Sequence, residues 1–398
     1  ANPPKVGVNW ASSLEIAYRS IAWMWALEFF REAEALTPTL LRRLLGFAYT
    51  HGRHLERYLS TYFSPNTHLT GEALGLLYLG TCLPEFACAA RWRERGWRIV
   101  EAQATRQIHP DGVYFEQTTY YHRYTLDIYL HAMRLAESNG WKVSEVVNAR
   151  VKALARCLAD IVRPDGTIPI IGDDDGGQLV LLEERARADV RAALVCASVM
   201  LDAPEIGASA RVVTEEVVWT LGAAALPRAD AAVSGDMPSH TSRLFPDGGI
   251  AVMRDGWSDN AVHMVIDCGP LGTMNCGHAH ADALALELWW GGADVLIDPG
   301  TFAYTTSAED RALFRHTAMH NTVTVDGAPS SVSAGPFSWA TRADAHVHAW
   351  WHGALVDHIA ASHDGFCRLD ASAAHARRVY FVRGRYVVVV DTVVGTLP

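Results

Sequence analysis

The spacing of apolar residues along this 398-residue chain changes once, near residue 235. Between residue 12 and about residue 222, apolar side chains recur every three or four positions, which is the spacing of amphipathic helices. Beyond about residue 240, short β-branched runs such as GGIAVMRDG, AVHMVIDCG, DVLIDPG, NTVTVDG and RRVYFVRGRYVVVVD contain or end at Gly, Asp or Pro, which is typical of antiparallel strands. The two patterns predict an all-helical part followed by an all-β part.

Helices are predicted over residues 12–36, 38–62, 68–82, 86–107, 117–139, 143–163 and 181–202, separated by short connections that contain Pro or Gly. Such connections favour stacked helical hairpins, arranged as a toroid or a solenoid, and the lack of a repeat consensus disfavours the solenoid. We therefore predict an α+β multidomain protein with a helical domain over residues 1–235 and an antiparallel β-sandwich over residues 236–398. The polar stretch PRADAAVSGDMPSH is the expected linker, and the strand-like run YVVVVDTVVG just before the last residues suggests a truncated sandwich.

Charge and composition exclude several classes of protein. The formal net charge is -10 and no basic run is present, which argues against a nucleic-acid partner. No window of about eighteen apolar residues predicts a membrane span, and the first residues do not resemble a signal peptide. The seven cysteines are scattered without a CxxC pair, which indicates free thiols, mostly in cores, and neither a disulfide framework nor a zinc knuckle.

Two helical segments carry polar residues that could line a site. In SPNTHLTGEALGLLYLG, Asn66 and His68 stand at a helix start and Glu72 lies one turn beyond His68. These residues fit either a helix cap with a surface His–Glu pair or an amide and an imidazole that project into a pocket.

In DGVYFEQTTYYHRYTLDIYL, Gln117, Tyr121 and Tyr124 would share one helical face, with His122 and Arg123 beside it. A tyrosine stripe usually packs in a core, but these neighbours favour a wet cleft. Nearby cationic groups would lower the pKa of such a tyrosine.

The segment NCGHAHADALALELWW raises a different question. In an extended backbone His278, His280 and Asp282 would point to the same side, where a metal, a substrate charge or solvent would be needed to make their burial tolerable. His280, Asp298 and His320, spaced by 18 and 22 residues, form a reasonable zinc set, although eighteen histidines also give accidental triplets. The stretch IGDDDGGQL lacks the spacing of a calcium loop and is interpreted as a turn.

Taken in order, these segments resemble the heparinase II/III-like polysaccharide lyases over essentially the whole chain. NWASSLEIAYRSIAWMWALEFF is similar to the family's entry helix, SPNTHLTGEALGLLYLG to its Asn/His helix, and DGVYFEQTTYYHRY to its Tyr-His segment. IIGDDDGG resembles its Gly-Asp-rich turn, and GHAHADALALEL, DVLIDPGTFAY and HNTVTVDG resemble its β-domain blocks. The resemblance implies an incomplete (α/α) toroid followed by an antiparallel β-sandwich, β-elimination on acidic polysaccharides such as heparin, heparan sulfate or alginate, and a periplasmic or secreted location.

The resemblance also implies roles for individual residues. Tyr121 and His278 would be catalytic, and Asn66 and His68 would bind the substrate carboxylate. A zinc ion with a mainly structural role would be held by His280, Asp298 and His320. Contacts with the substrate would come from Glu72, Gln117, His122, Arg123, Tyr124, Tyr304, Arg315 and His316. The chain departs from the family where Thr67 separates Asn66 from His68 and where Thr118 replaces a common serine.

The residue types suit this chemistry without the resemblance. An elimination must remove a weakly acidic C5 proton beside a carboxylate, so Asn66 and His68 could stabilise the resulting charge while Tyr121 or His278 takes the proton and Tyr121 returns one to the departing O4. One alternative is a glycoside hydrolase that uses Glu72 and Glu116 as paired carboxylates. The other is a non-catalytic glycan-binding protein. A homodimer would be compatible with any of the three.

Overall fold

The computed structural model describes residues 3–395. Its helices are α1 (Ser13–Phe29), α2 (Pro38–Arg57), α3 (Thr67–Cys82), α4 (Ala89–Gln107), α5 (Thr119–Ser138), α6 (Glu145–Ile161), α7 (Arg191–Met200), α8 (Pro204–Ala208), α9 (Glu215–Leu221), α10 (Leu226–Val233) and α11 (Ala308–Phe314). Its strands are β1 (Arg243–Phe245), β2 (Ile250–Arg254), β3 (His263–Asp267), β4 (Leu286–Trp290), β5 (Ala293–Leu296), β6 (Ser333–Gly335), β7 (Ser338–Trp339), β8 (Ala345–His352), β9 (Val356–His363), β10 (Ala373–Val382) and β11 (Tyr386–Gly395). The predicted order, helices and then antiparallel strands, is confirmed.

The strands form two main antiparallel sheets. One has the order β1-β2-β3-β4-β5, the other has the order β11-β10-β9-β8, and β6 and β7 form a separate pair. Between the two main sheets lies an apolar core that includes Met253 and Met264 from the first sheet and Ile359, Val379 and Phe381 from the second. Burying each such side chain contributes about 1.5–3 kcal/mol, so this shared core holds the predicted sandwich together.

The chain divides into two compact units that differ from the predicted domains. One unit comprises the chain up to Gln107 with Tyr124–Ala149 and Gln178–Leu182; the other comprises Ile108–Arg123, Arg150–Gly177 and the chain from Glu183 onward. The second unit therefore includes two segments of the helical region. These segments pack on the outer face of the first sheet and bury its apolar side chains. Ile250 and Val252 of β2 pack there on Val113, Cys157 and Ile161, while alternate β2 residues enter the sandwich core.

The first unit is built by close packing of α1, α3 and α4. Two glycines permit this approach, because a Cβ atom on Gly80 would lie 2.5 Å from the Ala89 carbonyl oxygen, and one on Gly96 would lie 2.5 Å from the Ala73 carbonyl oxygen. Helix α3 is buried on almost every side, so its apolar run LTGEALGLLYLG has no solvent-facing stripe.

Some element predictions were wrong in informative ways. Helix α7 begins at Arg191 and not near residue 181, because Thr167 forms a β-bridge with Asp189 and the Ile168 amide donates to the Ala188 carbonyl. Part of the predicted linker is helix α10, whose Ala232 packs closely on Gly207. The run NTVTVDG contains no strand, only a bridge between Val325 and Ala328. Strands β8 and β9 and helix α11 were not predicted.

Two further observations concern disulfides and membrane-spanning helices among the described residues. The cysteines over residues 3–395 form no disulfides, and five of the seven are buried, as predicted. Within the same range, no helix combines the length and apolar character that a bilayer crossing requires.

Candidate active site

Tyr121 is fixed at the start of α5 by a helix cap. The Thr118 hydroxyl accepts a hydrogen bond from the Tyr121 amide at 3.0 Å, which is the usual function of a Ser or Thr at this position. The preceding residue, Gln117, has a φ of 57° and lies before the helix begins, so it does not share a helical face with Tyr121 as predicted. A threonine in place of the family's serine keeps the cap.

The Asp-rich stretch forms a tight turn facing Tyr121. The Asp174 carboxylate accepts the Gly176 amide at 2.6 Å, and Asp175 accepts the Gly177 amide at 2.8 Å. The Asp173 amide donates to the His278 carbonyl at 2.9 Å. These bonds confirm the turn interpretation, and they place Asp173 and Asp175 beside two predicted catalytic residues.

Tyr121 and His278 lie in contact within the second unit. Their rings stack with centroids 4.2 Å apart and planes 27° apart. The Tyr121 hydroxyl donates to Asp175 Oδ2 at 2.9 Å and lies 3.2 Å from the Tyr304 hydroxyl. The structure thus brings together a phenol and an imidazole, 157 residues apart in the sequence, with the Tyr304 hydroxyl beside the phenol.

The environment of Tyr121 favours its protonated form, contrary to the expectation from the sequence. Burial, the neighbouring Tyr304 and the Asp175 carboxylate together raise the pKa of Tyr121 well above 10. One of the neighbours expected to lower it, His122, points elsewhere, since its Nε2 lies 2.8 Å from the Leu154 carbonyl oxygen. Tyr121 is therefore a proton donor at neutral pH.

Carboxylates surround the His278 imidazole. Its Nδ1 lies 3.0 Å from Asp173 Oδ2 and its Nε2 lies 3.7 Å from Glu116 Oε2. Burial alone would lower the pKa of His278, but the hydrogen bond to Asp173 and the charges of Glu116 and Asp175 outweigh burial and raise it above 6.5. The ring can therefore take up a proton readily.

Asp173 accepts hydrogen bonds from several side chains of the candidate site. Its fully buried carboxylate accepts hydrogen bonds from His278 Nδ1 at 3.0 Å, His280 Nε2 at 2.9 Å and the Thr301 hydroxyl at 2.9 Å. The Arg311 guanidinium donates to both oxygens, at 2.7 Å from Nη2 to Oδ2. Burial would raise the pKa of Asp173, but these donors hold it well below its usual range.

His280, Asp298 and His320 come together as predicted for a metal site. All three are buried, and one potential ligand atom from each lies within 4.8 Å of the others. His320 Nδ1 lies 2.5 Å from Asp298 Oδ2. Within residues 3–395, His280 Nδ1 and His320 Nε2 are buried without a hydrogen-bond partner. Two buried imidazoles and a carboxylate with potential ligand atoms this close together fit a divalent metal.

The backbone around these histidines is not the predicted strand. Residues 275–285 form turns, with Cys276 and Leu284 at positive φ, and β4 begins only at Leu286. Asp282 is buried, and burial together with Asp267 raises its pKa well above 3.8. Excess buried carboxylate beside the histidines is a further reason why a cation suits this region.

Three of the side chains predicted to contact substrate have hydrogen-bond partners within the protein. Burial lowers the pKa of His122 to about 4, so its ring is neutral. Arg315 is buried and donates to the carbonyls of Ala279, Gly335 and Pro336. Residue His316 caps a short 3-10 helix by accepting the Ala318 amide at 3.1 Å. Each of these side chains has a structural partner in place of a substrate.

Four predicted residues lie in the first unit. Asn66 caps α3 by accepting the His68 amide at 3.1 Å, which fits the capping interpretation. Tyr124 packs edge-on against Tyr18 with centroids 5.6 Å apart. Glu72 is buried, and its two oxygens accept the Ser60 amide at 2.7 Å and the Ser60 hydroxyl at 2.6 Å. Glu72 therefore anchors a loop, which does not fit its predicted contact with substrate.

Glu72 should make stability depend on pH. Burial raises its pKa to about 7 from an ordinary 4.5, against the opposing effect of the Ser60 hydrogen bonds. Because the folded state holds this proton more tightly, the free energy of unfolding should fall as pH rises from about 4.5 to about 7 and then level off. Glu72→Gln should remove up to about 3 kcal/mol of that fall, measured by urea unfolding at several pH values.

The matched control for this measurement is Glu32→Gln, since Glu32 is exposed. Glu287 and Asp267 also have raised pKa values, so the difference between wild type and variant, and not the wild-type curve alone, isolates Glu72. An identical pH slope in the Glu72→Gln protein would contradict the prediction.

Three residues of the candidate site were not predicted from the sequence. Asp173 and Asp175 were noticed only as part of a turn, and Arg311 was not considered. A run of three aspartates followed by two glycines could have suggested a loop that presents carboxylates. No local signal distinguishes Arg311 from other arginines, because it meets Asp173 only in the folded chain.

Two family models cover most of the chain. Residues 2–188 match the model described as heparinase II/III N-terminus, and residues 237–396 match the model described as heparinase II/III-like, C-terminal. A curated heparin-sulfate lyase from Bacteroides stercoris is 24% identical over 389 residues, covering 96% of this chain and 51% of the relative. One from Pedobacter heparinus is 24% identical over 392 residues, covering 96% and 52%.

Solved structures show the same fold. A crystal structure of heparinase III aligns with a TM-score of 0.75 at 22% identity, covering 98% of this chain and 57% of that one. The heparan sulfate lyase HepC from Pedobacter heparinus aligns with a TM-score of 0.65 at 23% identity, covering 99% and 56%. The chain thus spans about half the length of the curated relatives it matches.

Proposed function

Because the chain belongs to the heparinase II/III-like family, we propose that it is a lyase that cleaves a heparan sulfate-like, uronic-acid-containing polysaccharide by β-elimination. The substrate class is supported by the curated relatives, which are named heparin-sulfate lyases. The observation that carries the reaction type is the stacked pair of Tyr121 and His278. An elimination across C4 and C5 of a uronate requires an acid and a base that act on neighbouring atoms of one sugar, and these two side chains lie side by side.

The protonation states suggest how the two residues divide the work. Asp173 accepts a hydrogen bond from His278 Nδ1, so Nε2 of the neutral ring carries the lone pair and can take the C5 proton of the sugar. Tyr121 holds its own proton, since its pKa is raised, and can give it to the departing O4. The carbon–oxygen bond breaks as the C4–C5 double bond forms, and no water is consumed.

The substrate carboxylate needs a partner during this step. A negative charge builds up beside C5 in the transition state, and hydrogen-bond donors aimed at that charge contribute strongly to catalysis. Asn66 and His68 are proposed for this role on the family resemblance. Asn66 Oδ1 already accepts the His68 amide, so a donor function of Asn66 would fall to its Nδ2 group.

A zinc ion is proposed at His280, Asp298 and His320, each of which offers one potential ligand atom within 4.8 Å of those of the others. When bound, the ion would supply positive charge that offsets buried carboxylates and would brace the loops around His278. His280 is two residues from His278, and both imidazoles contact Asp173, so this bracing reaches the catalytic ring through protein atoms.

The product tests the reaction type. Incubation with heparan sulfate, heparin and alginate should give a rise in ultraviolet absorbance from an unsaturated uronate, largest with a heparan sulfate-type substrate. A hydrolase would instead produce new reducing ends without that absorbance, and a pure binding protein would produce neither. The hydrolase alternative is already weakened, because both oxygens of Glu72 accept hydrogen bonds from Ser60. His278→Ala serves as the control for contaminating lyase.

A further inference from the structure

Asp173 contacts both the catalytic ring and the candidate metal site. We propose that Asp173 is a positioning residue that fixes the tautomers of His278 and His280 together, so that one carboxylate prepares the catalytic imidazole and a metal-binding imidazole. The catalytic half of this inference rests on the proposed function, whereas the metal-binding half does not.

The argument begins with the number of donors around Asp173. The carboxylate accepts from Thr301 and from two nitrogens of Arg311, in addition to the two imidazoles. A guanidinium can only donate hydrogen bonds. With both oxygens occupied by Arg311, Asp173 is ionised and has no proton to give. Each imidazole nitrogen that contacts it must therefore carry hydrogen.

Two consequences follow for the neutral rings. With hydrogen on His278 Nδ1, the lone pair of His278 lies on Nε2, the nitrogen on the side of Glu116. With hydrogen on His280 Nε2, the lone pair of His280 lies on Nδ1, which is buried without a hydrogen-bond partner, in one of the three residues of the candidate metal site. The same carboxylate thus leaves one nitrogen of each ring free to accept a proton or to bind a metal ion.

Arg311 makes this arrangement possible in a buried place. Its guanidinium is buried, and its Cζ lies 4.9 Å from the ring centroid of Tyr304 and 5.4 Å from that of Phe337. It also donates hydrogen bonds to the Pro336 and Gly277 carbonyls. The ion pair balances the charge of Asp173, so neither histidine must be protonated to make burial of the carboxylate tolerable. Fixed outer partners of this kind hold metal-binding histidines in one orientation.

The tautomers can be measured in the wild-type protein. Nitrogen-15 NMR of histidine-labelled protein at alkaline pH should show His278 with hydrogen on Nδ1 and His280 with hydrogen on Nε2. The signals are assigned by comparison with His278→Gln and His280→Gln. Observation of the opposite tautomer for either ring would overturn the inference, and this measurement requires no variant of Asp173 to fold.

The variant Asp173→Asn tests the shared control. Zinc affinity, measured by competition with a chromophoric chelator, should fall about 10- to 100-fold, and kcat should fall by a similar factor or more while KM changes little. The control Asp174→Asn alters the next carboxylate in the same turn, which accepts only the Gly176 amide in the bonds above, and should keep wild-type zinc affinity and tautomers.

The outcomes separate this inference from the proposed function. If no polysaccharide is cleaved by the wild type, the proposed function fails, but the tautomers and zinc affinities still decide the role of Asp173. Unchanged zinc affinity in Asp173→Asn would overturn the inference. So would weakened zinc binding combined with an unchanged His278 tautomer, because one carboxylate would then not govern both rings.

Discussion

Replacing Tyr121 by phenylalanine is expected to lower kcat by about 10²- to 10⁴-fold, the usual contribution of a general acid or base, with little change in substrate binding. The substitution removes the hydroxyl that would protonate the departing O4 and leaves the ring that stacks on His278 at 4.2 Å. Initial rates of ultraviolet absorbance increase give kcat, and calorimetric titration with the polysaccharide gives the affinity.

Tyr129→Phe is the matched control, because it makes the same change in another buried tyrosine of helix α5. The Tyr129 hydroxyl lies 3.5 Å from the Val100 carbonyl and has no proposed part in the chemistry. Loss of one such hydrogen bond costs about 0.5–1.5 kcal/mol of stability, so both variants should fold and differ only in turnover. Wild-type kcat in Tyr121→Phe would rule out Tyr121 as the proton donor.

The sequence could predict the fold because periodicity is a local property. Helix α3 and the β10–β11 hairpin were both predicted within a few residues, since their apolar spacing and end signals lie within each segment. The predicted linker was wrong in part, because it contains helix α10. Ala229 and Ala232 give no periodic apolar pattern in the sequence, yet both are buried in this helix. Alanine carries little periodic signal, so tertiary packing decided its structure. The toroidal arrangement of the helices stays a prediction.

The candidate site was only partly predictable, for a related reason. Family motifs and spacing identified Tyr121, His278 and the set of His280, Asp298 and His320. The structure places Tyr121 in contact with His278 and brings the three residues of the set together. Residue Asp173 was not found, because its significance arises from partners 105, 107 and 138 residues away in the chain. The pKa of Tyr121 was predicted in the wrong direction, since adjacency in sequence to His122 and Arg123 says nothing about which groups surround its hydroxyl.

Removal of the proposed metal should lower the thermal stability of the protein substantially. A ligand present at about a thousand times its dissociation constant stabilises the folded state by about 4 kcal/mol, which corresponds to about 10 °C in Tm for a unit of this size. Dialysis against a strong chelator should produce this fall, and added zinc should reverse it. His320→Ala should show the low Tm without chelator, because it removes one of the three proposed ligands.

His316→Ala is the control that separates metal loss from the loss of a neighbouring histidine side chain. His316 lies four residues away and caps the preceding turn through the Ala318 amide, so the substitution should cost about 0.5–2 kcal/mol yet leave zinc content unchanged. If chelator does not change the Tm of wild type, the three side chains do not hold a stabilising metal. Their two unpartnered imidazole nitrogens would then be an uncompensated cost of about 1–3 kcal/mol each.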